Sequence, residues 1–257
     1  MIDIQNNIDD RGVSLHWVGI KDYTLQVVIN NQHTIANVQL GVSLDATHKG
    51  IHMSRLSQLL QDFHILNNET VIDLLNRSKE LLESSTSSII INTTYFRKKN
   101  APVSGLSGTI NYSINIFASL SSSNRSIYHS ICVPITAVCP CSKAISSYGA
   151  HNQRGAIQIT LSDIDIDDYD NVIRIIEKQA SSCEVYSVLK RTDEKKVTEK
   201  AYENAKFVED IVRDSIIALK PIYGCKLCSV ECINFESIHN HNAFAYYYEN
   251  EKFNMIR

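Results

Sequence analysis

Hydrophobic positions along this chain switch between two periods, and the switches outline its elements. Leu25 to Ile29 and Thr34 to Leu44 are extended apolar-rich runs on either side of Asn30 to Gln32, which predicts a β-hairpin. Gly50 breaks the chain, and Leu56, Leu59, Leu60 and Phe63 then share one face at helical spacing. After Asn67 and Asn68, a second helix carries Val71, Leu74, Leu75, Leu81 and Leu82, with Asn76, Arg77, Lys79, Glu80 and Glu83 turned to solvent. Ser84 to Ser88 reads as a loop and Ile89 to Phe96 as a strand. Arg97 to Ser104, basic and containing Pro102, reads as an exposed loop. Thr109 to Phe117 alternates: Ile110, Tyr112, Ile114 and Ile116 oppose Asn111, Ser113 and Asn115, as a half-buried antiparallel strand requires.

The pattern then repeats. Ile127 to Ile135 is a strand, and Ile157, Ile159 and Leu161 alternate within Gly155 to Leu161. An acidic run from Asp163 to Asp170 leads into a helix from about Tyr169 to Ala180, where carboxylates complement the helix dipole. A short apolar stretch, Val185 to Leu189, precedes the charged segment Lys190 to Lys200. A helix with Val208, Ile211, Val212 and Leu219 on one face begins near Phe207 and is expected to stop at Pro221 and Gly224. Leu227 to Phe235 and Ala243 to Tyr248 are the last strands. The order β-β-α-α-β-β, twice over, predicts an α+β chain of two modules, 1–122 and 123–257. In each, a helix pair covers a four-stranded antiparallel sheet. The duplication rests on element order, since no residue-level repeat is evident.

Composition narrows the class. At 257 residues, 44% hydrophobic and 21% charged, the chain matches an ordinary soluble protein with room for a sizeable core. A net charge of -3 gives no basic field for nucleic acid, and no apolar run reaches membrane-spanning length. The start, MIDIQNNIDDRG, has neither the basic nor the apolar region of a signal peptide. Seven cysteines without an export signal are expected to be reduced thiols in the cytoplasm.

Candidate chemistry concentrates in PITAVCPCSKAISSYGAHNQR, residues 134–154. Cys139 and Cys141 flank Pro140, and His151 follows. Thiolate and imidazole both bind zinc-like ions, and here they would meet only through a turn. A buried thiol and a hydrogen-bonded imidazole account for the same residues. The aspartate run lacks the glycine and the final glutamate of a calcium-binding loop. Cys225, Cys228 and Cys232 read as small buried hydrophobes, because a strand puts Cys225 and Cys228 on opposite sides. Glu209 sits at a helix start, where a surface acid paired with Arg213 is the simple reading. Glu194 lies among charged residues and would ordinarily face solvent. His239 and His241 are two apart, so a strand would turn both to one side, suited to metal binding or proton transfer.

Together these pieces resemble the type IB GTP cyclohydrolase family. The resemblance is carried by GIHMSR at 50–55, the Cys/His segment, YSVLKRTDEKKVTEKAYENAKFVED at 186–210 and FESIHNHNAFA at 235–245. Ile51 stands where a threonine is usual, and Thr192 and Ala205 replace prolines; no catalytic-type side chain is lost. The resemblance implies a tunnelling fold (T-fold) assembled into a homotetramer with active sites at subunit interfaces. It implies a metal-dependent hydrolase, GTP cyclohydrolase I, taking GTP to 7,8-dihydroneopterin triphosphate and formate. That reaction opens folate-type pterin and tetrahydrofolate biosynthesis and, in some organisms, the route to queuosine.

On this chain the resemblance places a divalent metal, zinc or manganese, on Cys139, His151 and Glu194. It places guanine on Glu209, and His239 and His241 beside the metal and reacting ring. It also leaves room for a reversible Cys139–Cys141 disulfide. A carboxylate can accept from guanine N1–H and the 2-amino group together, a pairing adenine cannot match. The triphosphate needs cations, for which Arg154, Lys190, Arg191, Lys195 and Lys196 are candidates. A nitrile reductase of the same fold and a non-catalytic zinc-binding assembly protein are the alternatives. A metal-ligand set separates the first from a cyclohydrolase, and turnover of GTP separates the second.

Overall fold

The computed structural model describes residues 5, 7–180 and 182–249. In chain order its elements are β1 (Leu15–Ile29), β2 (Gln32–Leu44), α1 (Met53–Gln61), α2 (Asn68–Leu81), β3 (Thr86–Asn100), β4 (Ser107–Ser121) and β5 (Arg125–Val138). They continue as α3 (Pro140–Ile145), β6 (Asn152–Ser162), α4 (Tyr169–Ile175), β7 (Cys183–Glu184), α5 (Arg191–Glu203), α6 (Val208–Tyr223), β8 (Leu227–Asn234) and β9 (Ala243–Tyr248). The chain forms two compact units. One takes the residues up to Tyr95 together with Ile114–His129, and the other takes Phe96–Ser113 and the residues from Ser130 onward.

In the first unit β2 pairs antiparallel with β1 and with β3. Asn30 and Asn31 close the β1–β2 hairpin with φ of 46° and 60°, the left-handed geometry of a two-residue turn that asparagine tolerates. β1 begins at Leu15 rather than Leu25. Register shifts between Leu15 and Val18 and between Ile20 and Tyr23, with Asp22 at φ 59°, break the period of two that would have announced it. Val38, Leu40 and Val42 of β2 are fully buried, as are Leu56 of α1 and Val71 and Leu75 of α2. The Asn67 side chain accepts from Thr70 N–H at 2.8 Å and so starts α2. Leu81, expected on the buried face, is exposed. The predicted loop Ser84 to Ser88 gives way at Thr86 to β3, where Ser87 and Ser88 pair with Val42 and Gly41.

In the second unit β8 pairs antiparallel with β6 and β9, and β7 pairs with β5. Ile157, Ile159 and Leu161 of β6 are buried as their alternation predicts, alongside Val172 and Ile173 of α4 and Ile211 and Leu219 of α6. α4 relaxes into a π turn over Ile176–Ala180. Pro221 does not stop α6; it sits inside the last turn, and Gly224 at φ 53° ends the helix. The charged segment after Lys190 forms α5, a helix with Asp193 and Ala201 as its buried residues.

Arg97 to Ser104 is not a solvated loop. Arg97 and Lys99 lie on β3, and their cations meet acids: Glu177, which is buried, Glu184, which is partly buried, and Asp170, which is exposed. Lys99 Nζ is 2.8 Å from Glu177 Oε1 and 2.9 Å from Glu184 Oε2, and Arg97 Nε is 2.7 Å from Asp170 Oδ1. The Tyr112 hydroxyl donates to Glu177 at 2.7 Å. Beyond the strand, Val103 N–H and Ser104 N–H both donate to Asp193 Oδ1 at 2.8 Å, which fastens the turn to the start of α5.

Candidate active site

Four segments of the second unit line one cavity of about 460 Å³: the end of β5, the start of β6, the start of α6 and the connection between β8 and β9. That volume suits a purine nucleoside. Cys139 follows β5, and its backbone N–H donates to His151 O at 3.2 Å. The residues between fold back as a turn: Pro140 opens α3, Gly149 takes φ 117°, and His151 N–H donates to Ser142 Oγ at 3.2 Å. The turn thus brings the thiol and the imidazole to the same cavity. Ser142 N–H lies 3.4 Å from Cys139 Sγ.

His239 and His241 also line the cavity, with ring centroids 5.2 Å apart, and His151 and His239 are 6.1 Å apart. The two histidines sit on bends in the connection between β8 and β9, outside the two strands that the sequence predicts there. Phe235 N–H donates to Arg154 O at 2.9 Å and holds that connection against β6.

Glu209 is the second residue of α6 and lines the cavity. The partner expected for it is taken: Arg213 reaches Asp210 at 3.3 Å. Asp210 also accepts Phe207 N–H at 3.1 Å and so caps the helix. Glu209 is left facing the cavity, where the helix start favours a carboxylate.

Other expected site residues lie elsewhere. Glu194 is exposed on α5 and Arg154 is exposed on β6, and neither lines this cavity. Lys190 precedes α5, and its backbone N–H donates to Asp193 Oδ2 at 2.8 Å. Arg191, Lys195 and Lys196 are exposed on α5. Cys141 and Cys225 are exposed, so Cys225 is not the buried hydrophobe expected of it. Cys228 and Cys232 are buried, and burial, with the charges of Glu231 and Glu209, pushes the Cys232 thiol up to about 12.

Among the described residues no three His, Cys, Asp or Glu side chains converge to hold an ion. Cys139 and His151 supply the soft and borderline donor types that suit a divalent metal, and they form part of a set rather than a whole one. Sequence reasoning missed Gln153, Glu236, Lys206 and Phe207, which share the lining. Gln153 stands two residues from His151 and Glu236 three from His239, spacings that were available to find them.

Antiparallel strand pairing with helices between the strand pairs makes this a tunnelling-fold protein. Uricase from Arthrobacter globiformis shares the fold at a TM-score of 0.52, over 90% of this chain and 92% of that one, with 9% identity. The sequence is more specific. The model of type I GTP cyclohydrolase folE2 matches residues 1–245. A GTP cyclohydrolase FolE2 of Syntrophobacter fumaroxidans is 41% identical over 252 residues, 95% of this chain and 98% of that protein. Those of Neisseria gonorrhoeae (43%, covering 95% of this chain and 96% of that protein) and Thermosipho africanus (40%, also 95% and 96%) are similar. The chain belongs to the type I GTP cyclohydrolase FolE2 family.

Proposed function

We infer that this protein is a GTP cyclohydrolase I that converts GTP and water to 7,8-dihydroneopterin triphosphate and formate, at the head of folate-type pterin synthesis. One observation carries the reading: in a member of this family, a Cys/His donor pair, two more histidines and a free carboxylate line one purine-sized cavity. Glu209 accepts guanine N1–H and the 2-amino group, which selects guanine over adenine. Cys139 and His151 hold a divalent metal, zinc or manganese, which when bound supplies a water acidic enough to act as hydroxide near neutral pH. His239 and His241 move protons as the imidazole ring opens at C8 and the new ring closes. Family membership favours this chemistry over that of the nitrile reductase.

Among the described residues no third donor converges with Cys139 and His151, and the one cation that lines the cavity, Lys206, is ion-paired with Asp214. Glu194, Lys190 and Arg154 stand exposed outside the cavity. A homotetramer with interfacial sites accounts for both facts, with a second copy bringing the missing groups. The cavity residues all come after residue 123, which supports a second module that carries most of the site. No helix among the described residues is long and apolar enough to cross a membrane. We place the reaction in the cytoplasm, where seven free thiols persist.

The test is turnover of GTP by the purified chain with zinc or manganese added. Formate release, with a fluorescent pterin after oxidation, is expected. Cys139→Ala should abolish both and lower bound metal while keeping the parent's circular dichroism. Metal binding without formate release would leave a non-catalytic zinc protein instead.

A further inference from the structure

The cavity contains a chain of polar contacts that the roles above do not use, two of them hydrogen bonds and the last an ion-pair approach. His151 Nδ1 lies 2.8 Å from Gln153 Oε1, Gln153 Nε2 lies 3.4 Å from Glu236 Oε1, and His239 Nδ1 lies 3.5 Å from Glu236 Oε2. Gln153 is 7% exposed and the Glu236 side chain 9%, so both depend on protein partners.

The chemistry of the groups orders this chain from one end. An ionised carboxylate only accepts, an amide has one accepting and one donating end, and a neutral imidazole has one of each. Gln153 must therefore turn its NH₂ to Glu236, because the flipped amide would set two acceptors face to face. Its oxygen is then left for His151, which must offer Nδ1–H. The second oxygen of Glu236 asks the same of His239. In their neutral form both rings then carry the proton on Nδ1 and leave Nε2 bare. The backbone keeps the parts opposed: Gln153 lies on β6, and the Phe235-to-Arg154 hydrogen bond pins the residue before Glu236 to that strand.

We propose that Glu236 is the positioning residue of this site, setting the tautomer of His151 through Gln153 and that of His239 directly. The consequence for His151 rests on its reading as a metal donor. An imidazole with its proton on Nε2 cannot bind a metal there, so Glu236 keeps the ring ready for the ion. At His239 the same carboxylate leaves Nε2 able to accept a proton.

The experiment is long-range ¹H–¹⁵N NMR of the histidine rings in the full chain, ¹⁵N-labelled and stripped of metal by chelation. The parent should show His151 and His239 as Nδ1–H tautomers. Glu236→Gln, close in shape, frees the Gln153 amide to flip, so both rings should lose that preference. Gln153→Met should change His151 alone, and it decides the matter if Glu236→Gln does not fold. Either variant should weaken zinc binding by roughly 10–100-fold, as loss of a partner behind a ligand does. An Nε2–H tautomer at His151 in the parent overturns the proposal, as do ring spectra that Glu236→Gln leaves unchanged. Tautomers that shift while zinc affinity holds would remove His151 as a metal donor and leave the control by Glu236 standing.

Discussion

Lys99 offers a direct test of how the second unit is held together. Its ammonium lies 2.8 Å from Glu177 and 2.9 Å from Glu184, with side-chain exposures of 11%, 4% and 13%. Lys99→Met keeps the length of the side chain and removes the charge shared by two acids. Breaking a buried ion pair costs about 3–5 kcal/mol. The lower end applies here, because Arg97 stays 3.4 Å from Glu177 and Lys200 stays 3.4 Å from Glu184. A loss of about 3 kcal/mol corresponds to a fall in melting temperature of roughly 6–12 °C for a chain of this size. Urea and thermal unfolding at one fixed protein concentration measure it.

The pH dependence gives a second, independent check. Burial pushes the Glu184 carboxyl up, but the hydrogen bond and charge of Lys99, helped by Lys200, outweigh it and hold the group below its usual value. In the parent, that contribution is present above the unfolded-state value and is lost as pH falls through the depressed folded value. In Lys99→Met, burial acts with its main counterweight gone, so the folded-state value rises. The variant then gains on the parent as pH falls. The deficit should be largest near neutral pH and shrink toward a pH of about 4, where free glutamates protonate. A deficit under about 1 kcal/mol, or one independent of pH, would refute the reasoning, since it is too small or too insensitive for a broken buried pair.

Four further substitutions have expected outcomes. Glu209→Gln should weaken GTP binding by roughly tenfold or more with bound metal unchanged, because an amide cannot accept both guanine donors. Glu194→Gln should lose metal first, and the opposite pattern in calorimetry and elemental analysis would exchange the two roles. Gly155→Ala places a Cβ 2.7 Å from Asn234 Oδ1 and 2.8 Å from Ile233 O, so it should cost about 1–3 kcal/mol and disturb the cavity that Asn234 lines; an unchanged melting curve would count against it. At Asp193 burial raises the carboxyl, and hydrogen bonds from Ser104, Lys190 and Val103 overcome this and hold it well below the usual range. Asp193→Asn should therefore flatten the loss of stability at acid pH and speed hydrogen exchange at Val103 and Ser104. Parental exchange rates at both amides would show that the turn is held by something else.

What was legible in the sequence had a periodic cause. Ile110, Tyr112, Ile114 and Ile116 alternate because one face of β4 is buried, and each is at most 5% exposed. The stripe Leu56, Leu59, Leu60 is equally a packing signal. α5 has no such signal. It is fastened by a buried carboxylate that accepts from backbone amides, and nothing in a spacing pattern distinguishes Asp193 from its exposed charged neighbours. Arg97 and Lys99 were misread for a related reason. Composition records that they are charged, while their acids lie about eighty positions further on, at 177 and 184.

The candidate site divides along the same line. The gap from Cys139 to His151 closes through local hydrogen bonds, so a turn could be foreseen from Pro140 and Gly149. His239 and His241 do meet, but by a route their spacing did not predict. A backbone bond from Phe235 to Arg154 holds the connection that carries them, and their spacing of two would have brought them together only on a strand. Glu194 is the instructive case. In a single chain its carboxylate faces water, and the thiol–imidazole pair that a metal would occupy lacks a third donor among the described residues. On the interfacial reading proposed above, a second copy would bring Glu194 to the Cys139–His151 pair. No periodicity within one sequence would encode such a contact. Only the resemblance could name Glu194, and a titration of metal content against subunit assembly is the measurement that can place it.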